Sequence, residues 1–321
     1  MNALAALAAA LSLIGRHGTL LAAASIFIGL ALPQLAALLK PALGAVIIGM
    51  LTLAFLRVDP VALRRYFTRP GLIAASALWL MLIAPALIGT AFSHAGVAEA
   101  SPGLYFMLVL QLAGPGLMSS PAVAALLGLD VALTLAGLIV TVAVAPLSAW
   151  LFTHVFLGAA LTSPLMLGLR LALIIAGSAL GAAVIRRIAG GAFIEAQAQR
   201  IDGLSVLMFM SFAIAAMDGV SAHIATEPLL VAKLTLLAFG LSLGMTAVTT
   251  LVFWPAGRSR AFALGVLAGN RNVGLMLAAT GFAVSDIAWL YFAVAQFPIY
   301  LLPHLMRPLA RWATRERSND R

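Results

Sequence analysis

Residues 265–275 read GVLAGNRNVGL and place Arg271 between two asparagines, about halfway along an apolar stretch. An arginine at the centre of a membrane-spanning helix costs ~2.5–3.5 kcal/mol on insertion scales, and such residues usually face a cavity and mark a function. A second stretch, QLAGPGLMSSP at residues 111–121, gathers two prolines and two glycines in the middle of another apolar segment. Proline removes a backbone hydrogen bond and clashes with the preceding turn. The sequence therefore predicts two helices interrupted in mid-membrane, near 115–121 and 268–274, with a simple proline kink as the alternative at the first position.

The composition around these two stretches is that of an integral membrane protein. The chain has 321 residues, of which 63% are hydrophobic and 9% are charged, against about 25% charged residues in soluble domains. Apolar stretches of about 20 residues span a bilayer as helices, and these stretches lack the alternating pattern of membrane strands. The sequence thus predicts an all-α protein with ten transmembrane helices, at residues 18–38, 41–56, 70–92, 104–128, 130–154, 164–186, 203–223, 228–254, 260–282 and 286–306.

The net charge of +9 reports membrane topology and does not require a nucleic-acid partner. With the N-terminus inside, fifteen of the nineteen cations fall on cytoplasmic segments, which satisfies the positive-inside rule. We therefore expect a multi-pass protein of a bacterial-type inner membrane with both termini cytoplasmic, an in-plane segment at 1–17 and a basic tail at 307–321. The predicted cytoplasmic cations are Arg16, Arg57, Arg64, Arg65, Arg69, Arg186, Arg187, Arg200, Arg258, Arg260, Arg307, Arg311, Arg315, Arg317 and Arg321.

Two halves of the chain share a pattern that indicates duplication. Asp130 and Asp286 each open a predicted helix and lie 156 residues apart, and both are interpreted as N-caps. Pro146 and Pro303 lie 157 residues apart, and the two interrupted segments about 153. Because five crossings reverse the starting side, the second half would be inverted, as in many secondary transporters. The predicted repeats are residues 18–154 and 164–306.

The predicted site follows from the position of Arg271. No acidic residue is expected at its depth, so an anionic ligand is the predicted partner; the alternative is that Arg271 caps carbonyl groups of the interrupted helix 4. Gln111 and Gln296 either line a cavity or form interhelical hydrogen bonds. The predicted substrate-binding residues are Arg271, Asn272, Asn270, Ser119 and Ser120, and the predicted cavity-lining residues are Gln111, Met118, Thr134 and Gln296.

These residues, taken in order, resemble the bile acid:sodium symporter superfamily. The resemblance implies ten helices in two inverted repeats, with helices 4 and 9 interrupted and crossing. It also implies a panel domain of helices 1, 2, 6 and 7, a core domain of the remaining helices, and substrate in the crevice between them. The stretches that carry it are residues 49–53 (GMLTL), 69–70 (RP), 84–86 (APA), 115–120 (PGLMSS), 130–134 (DVALT), 145–147 (APL) and 272–275 (NVGL).

The chain departs from the sodium-coupled members of that family at the ion ligands. Those members have a glutamate in helix 9, a glutamine four residues later, a glutamine in helix 3, an asparagine after serine in helix 4, and hydroxyls in helix 5. Only Ser120 and Thr134 keep oxygens suited to sodium, so sodium coupling is in doubt and Arg271 would supply the positive charge permanently. The substituted positions are Leu267, Arg271, Leu80, Pro121 and Leu138.

The predicted function is secondary transport of a small organic anion, a carboxylate, by alternating access without sodium coupling. The alternatives are a membrane sensor or enzyme on the same scaffold, and a sodium-coupled symporter with rearranged ion sites. The sequence has no cysteine, which excludes disulfides and the cysteine that arsenite-efflux relatives use in helix 4. Residues 240–244 (GLSLG) match a nucleophile motif but lie within a predicted helix, so Gly240 and Gly244 are interpreted as a packing face. We predict no cofactor, no enzymatic activity, and no partner besides the anion and the lipid bilayer.

Overall fold

The protein is an all-α membrane protein within the residues that the computed structural model describes, namely 18–58, 70–158 and 163–314. Seven helices in these ranges are long and apolar enough to cross a membrane. Of the ten predicted segments, the fourth and ninth are divided into shorter helices, and the first is described as a helix of 14 residues. The segment predicted at 1–17 and the last residues of the tail, 315–321, lie outside the described residues.

The helices are numbered here in chain order: α1 Gly18–Ala31, α2 Pro33–Leu39, α3 Leu43–Arg57, α4 Pro70–Leu78, α5 Ala84–His94, α6 Val97–Ala100, α7 Pro102–Ala113, α8 Ser120–Leu126, α9 Val131–Leu157, α10 Pro164–Ala189, α11 Gly191–Ala196, α12 Ala198–Ala216, α13 Val220–Thr226, α14 Pro228–Val252, α15 Arg258–Gly269, α16 Val273–Ala279, α17 Asp286–Val294, α18 Gln296–Leu305 and α19 Arg307–Thr314.

The predicted boundary between the first two helices is wrong. The chain leaves helical geometry at Leu32 (φ −124°, ψ 71°), and Pro33 occupies the first turn of the next helix, where its missing N–H is no loss. Lys40–Ala42 forms a 3₁₀ turn that joins α2 to α3. Pro33–Arg57 is consequently one span of 25 residues, and the predicted stop near residue 40 does not occur.

The third predicted helix contains a π-helical turn, Trp79–Ile83, between α4 and α5. Pro85 has no N–H to offer to the carbonyl of Met81, four residues earlier. The N–H of Ala84 donates to Trp79 in the π-helical pattern, so the carbonyl of Leu80 also loses its usual α-helical donor. The Ser148 hydroxyl of α9 donates to the Met81 carbonyl at 3.2 Å. The turn thereby leaves the Leu80 carbonyl available to another part of the chain.

The two aspartates at helix starts behave differently. Asp130 caps α9 as predicted, because its Oδ1 accepts a hydrogen bond from the N–H of Leu133 at 3.0 Å. Asp286 is not an N-cap: it is the first residue of α17, and the preceding Ser285 makes no side-chain cap either.

The chain divides into two compact units. One consists of the described parts of Met1–Asp59 and Leu173–Val231, and ion pairs between Lys40 and Asp218 (2.8 Å) and between Arg57 and Asp202 (3.0 Å) join its helices. The other consists of the described parts of Pro60–Ala172 and Ala232–Arg321. This second unit contains both interrupted helices and therefore the whole predicted site.

Candidate functional site

Both predicted interruptions are present. α7 ends at Ala113 and α8 begins at Ser120, while α15 ends at Gly269 and α16 begins at Val273. In each case a helix of 12 residues is followed by one of 7. The alternative of a simple proline kink at the first position is wrong, since residues 114–119 belong to neither helix.

The two interruptions pair with each other. The N–H of Leu117 donates to the Asn270 carbonyl and the N–H of Asn272 donates to the Pro115 carbonyl, each at 2.8 Å. These bonds flank an antiparallel bridge between Gly116 and Arg271. Irregular backbone at membrane depth is tolerated only where protein or water satisfies its polar groups. Each interrupted segment thus provides hydrogen-bond partners for backbone groups of the other.

The Arg271 side chain completes this pairing. Its Nε donates to the Ala268 carbonyl at 3.1 Å, its Nη1 to the Gly114 carbonyl at 2.9 Å, and its Nη2 to the Leu80 carbonyl at 2.7 Å. The first two carbonyls belong to the ends of the first halves of the interrupted helices, and the third is the one left by the π-helical turn. A single guanidinium thus joins three chain segments.

This geometry supports the capping alternative for Arg271. The residue is 3% exposed, so its guanidinium is not accessible to a ligand in this conformation. Direct contact with a substrate stays a prediction and requires a conformational change that exposes the guanidinium. Among the residues that the structure describes, no carboxylate contacts Arg271. Its described polar contacts are the three backbone carbonyls and the Met81 sulfur, 3.7 Å from Nη1.

The accessible groups of the site follow the two paired residues in the sequence: Asn272 comes directly after Arg271, and Met118 and Ser119 come shortly after Gly116. Met118, Ser119 and Asn272 are partly exposed. Asn272 caps α16 through its Oδ1, which accepts from the N–H of Leu275 at 3.0 Å, and this leaves its amide N–H groups available to a ligand. The Ser119 hydroxyl forms no hydrogen bond with any described residue. These two side chains can offer directional hydrogen bonds to an anion.

Two buried oxygens near the pairing have no hydrogen-bond partner among the described residues, the Ser120 Oγ and the Asn270 Oδ1. The Asn270 amide nitrogen donates to the Val266 carbonyl at 2.8 Å. A buried polar atom without a partner costs ~1–3 kcal/mol. A ligand atom that hydrogen-bonds to either oxygen would offset this cost, so Ser120 and Asn270 remain candidate binding residues.

Three other predicted cavity residues form structural hydrogen bonds. The Tyr291 hydroxyl donates to the Gln111 Oε1 at 2.7 Å, which is the interhelical alternative for this glutamine. Gln296 donates to the Phe292 carbonyl one turn earlier, and the Thr134 hydroxyl donates to the Asp130 carbonyl. No described hydrogen bond brings these three side chains to the paired interruptions.

Sequence reasoning missed three groups that support the interruptions. The first is the Leu80 carbonyl, which Pro85 could have indicated. The second is the Thr141 hydroxyl, two turns after Thr134 in α9, which accepts from the N–H of Gly116 at 3.3 Å. The third is the Ser242 hydroxyl, which donates to the Gly269 carbonyl at 2.8 Å.

The predicted packing face on α14 is also misplaced. A side chain at Gly240 or Gly244 would meet no atom within 4 Å among the described residues. The close approach is made instead by Gly265 and Gly269 of α15, where a Cβ would collide with the backbone of Thr246 and Ser242. Two small residues four positions apart thus do allow α14 and α15 to pack closely, but these residues lie on α15 and not on α14.

The residues present do not fit the sodium sites that the family resemblance implies. The Leu267 side chain packs against Gly116 and Gly137 so closely that neither glycine has room for a Cβ. A buried leucine and a guanidinium occupy positions where sodium would need oxygen ligands. We therefore assign no sodium ion to these positions.

Comparison of the chain with protein-family models gives no match, and comparison with curated proteins gives none. The family resemblance consequently rests on the short stretches quoted above and is used below only as a proposal.

Proposed function

We propose that the protein is a secondary transporter that carries a small organic anion, a carboxylate, by alternating access and without sodium. The observation that carries this proposal is the buried positive charge of Arg271 at the paired interruptions, where no described carboxylate contacts it. Intramembrane ionisable residues ordinarily mark substrate or ion pathways. A cationic centre of this kind selects for anions.

Anion selection does not depend on direct contact with Arg271. Two unit charges 4 Å apart interact by about 4 kcal/mol at an effective dielectric constant of 20, and by about half of that at twice the distance. In this proposal, an anion held by Ser119 and Asn272 lies within this range of the guanidinium. This arrangement lets one residue brace the backbone and attract the substrate at the same time.

The internal symmetry of the chain supports a carrier of the bile acid:sodium symporter type. Both interrupted helices have first halves of 12 residues and second halves of 7, and their first halves start 156 residues apart, at Pro102 and Arg258. Inverted repeats with interrupted helices at the binding site are typical of secondary transporters. The proposed architecture is ten helices in two inverted repeats, with panel and core domains and crossing interrupted helices. The division into two compact units supports the domain assignment, because the first unit contains the described parts of helices 1, 2 and 7 and the part of helix 6 from Leu173 onward.

Uptake into proteoliposomes tests the proposal. Purified protein should exchange a labelled carboxylate across the membrane at the same rate in sodium and in potassium buffers. Ser119→Ala should slow this exchange, whereas Ser259→Ala, at the start of α15, should leave it unchanged. Binding without any exchange would indicate a sensor, and absence of both binding and exchange over a panel of mono- and dicarboxylates would refute the anion assignment.

The second candidate is a sodium-coupled symporter with a rearranged ion site. The unpartnered oxygens of Ser120 and Asn270 favour it, since sodium prefers oxygen ligands. In that case uptake rises steeply with sodium, potassium cannot substitute for it, and Ser120→Ala removes the dependence. The same proteoliposomes, assayed in both buffers, decide between the two candidates.

A further inference from the structure

An apolar groove of about 300 Å³ lies in the second unit, where the end of α14 meets the start of α15 and the helix α19. Its size is at the lower end of the range for ligand pockets, ~300–1,000 Å³. The apolar side chains in its wall include Leu243, Ala247, Leu251, Phe262, Met306 and Leu309. This groove is separate from the paired interruptions described above.

The part of the groove wall that α14 forms offers no hydroxyl donor to a ligand; the donors of the groove are Arg258, Trp254 and Trp312. The two hydroxyls in its wall are already used within α14, because Thr246 donates to the Ser242 carbonyl at 2.8 Å and Thr250 to the Thr246 carbonyl at 2.7 Å. A polar group placed against this wall would therefore lose its hydration without gaining partners. A hydrocarbon chain has no such cost.

A cation of the groove wall lies against two aromatic rings. The Arg258 guanidinium is 4.9 Å from the ring centre of Trp312 and 5.7 Å from that of Trp254. The two tryptophan rings are 5.9 Å apart. Tryptophan is enriched at the membrane–water interface, where one end of the ring is apolar and the other is wet.

The helix α19 has the character of an interfacial helix. It packs through Ala310 and Ala313, which are buried, while Leu309 and Trp312 are 57% and 47% exposed. Arg307 and Arg311 of the same helix are exposed as well. Helices with cations on one side and exposed leucine and tryptophan on the other lie in the headgroup region and are attracted to anionic lipids.

We propose that this groove binds one anionic phospholipid, with an acyl chain along α14 and α15 and the phosphate beside Arg258. The charge of the surrounding arginines complements an anionic headgroup, and the apolar wall complements the chain. By the positive-inside assignment, this lipid belongs to the cytoplasmic leaflet. The inference does not depend on what the protein transports.

Native mass spectrometry of delipidated full-length protein tests the site with phosphatidylglycerol and phosphatidylcholine of identical acyl chains. Wild type should bind one phosphatidylglycerol more tightly than phosphatidylcholine. Arg258→Gln should weaken the binding of phosphatidylglycerol by about tenfold, the loss in affinity expected for one charge-assisted hydrogen bond. The matched control Arg187→Gln, at the cytoplasmic end of α10, should have no effect.

A second pair of variants tests the groove itself. Ala247→Phe places a ring in the groove from an exposed position and should reduce binding of both lipids, whereas Ala176→Phe, exposed on α10, should not. Equal affinity for the two lipids in wild type would overturn the proposal and leave an ordinary lipid-facing surface. Equal weakening by Arg258→Gln and Arg187→Gln would overturn the assignment of the phosphate to Arg258.

Discussion

Arg271 illustrates how one residue can satisfy backbone groups that two interrupted helices leave free. A guanidinium carries five N–H donors in a fixed planar fork, whereas an ammonium group is a compact point charge. The three carbonyls that Arg271 reaches come from Leu80, Gly114 and Ala268, on three separate segments. No other natural side chain combines that charge with that number of directed donors.

Substitution of Arg271 should therefore lower stability. Arg271→Lys and Arg271→Gln both leave buried carbonyls without donors, at ~1–3 kcal/mol for each group, so both variants should melt below wild type in detergent. Arg170→Gln, an exposed arginine of α10, is the control and should melt like wild type.

Anion binding by the folded fraction of each Arg271 variant distinguishes bracing of the backbone from contact with the substrate. If Arg271→Lys keeps the wild-type melting temperature and loses roughly 10- to 150-fold in carboxylate affinity, the residue contacts the substrate directly and the bracing account is wrong.

The sequence predicted the importance of Arg271 because an arginine at mid-membrane is expensive wherever it lies. It did not predict the partners. A backbone carbonyl carries no signature in the sequence, and the availability of the Leu80 carbonyl depends on a π-helical turn that only tertiary packing decides. The hydrogen bonds of Ser242 to Gly269 and of Gly116 to Thr141 were not predicted for the same reason, because each joins backbone of an interrupted helix to a different helix.

At the scale of elements, the interruptions were predictable and the first helix boundary was not. Two prolines and two glycines at residues 114–121 disfavour any continuous helix, whatever surrounds them. Near the start of the chain, Pro33 and Pro41 are equally good local signals for a new helix. In the structure the helix is interrupted at Leu32, whereas the next span continues through Lys40. Which proline interrupts the helix depends on what each segment packs against.

The close packing of the interruptions gives a test at this scale. Gly116→Ala would push a Cβ into the Leu267 side chain, and such overpacking costs ~1–3 kcal/mol. Leu267→Ala should also destabilise, by ~2–5 kcal/mol, because it opens a cavity. In the double variant the added methyl group enters the space that the leucine leaves, so the loss in melting temperature should be smaller than the sum. Additive losses would contradict the contact, and Gly71→Ala, which meets no atom within 4 Å, is the neutral control.

At the scale of the whole molecule, composition predicted an all-α membrane protein because so few charges cannot cover a soluble fold. The arginine distribution predicts the orientation of the chain, and the described residues contain seven candidate spans. The grouping of distant segments into two compact units could not be read from local patterns. It arises from contacts between helices more than a hundred residues apart in the chain.

Single-cysteine labelling tests the orientation, and the absence of native cysteines makes every introduced thiol unique. Thr226→Cys, at the end of α13, should react with a membrane-impermeant maleimide in intact spheroplasts. Arg187→Cys, near the end of α10, should react only after lysis. Both residues are exposed, so accessibility within the protein is not limiting. The reverse pattern would place both termini outside.

The covalent tethering of Arg271 has a consequence for energetics. A sodium ion that accompanies a substrate leaves with it and contributes its own gradient, whereas a guanidinium returns to its starting position at the end of every cycle. The net charge moved by the proposed carrier is then that of the anion alone, so transport is electrogenic and responds to membrane voltage. An interior potential of −100 mV disfavours an internal monovalent anion by about 2.3 kcal/mol. For a monovalent anion moved without a coupling ion, that corresponds to an equilibrium concentration roughly fifty times lower inside than outside.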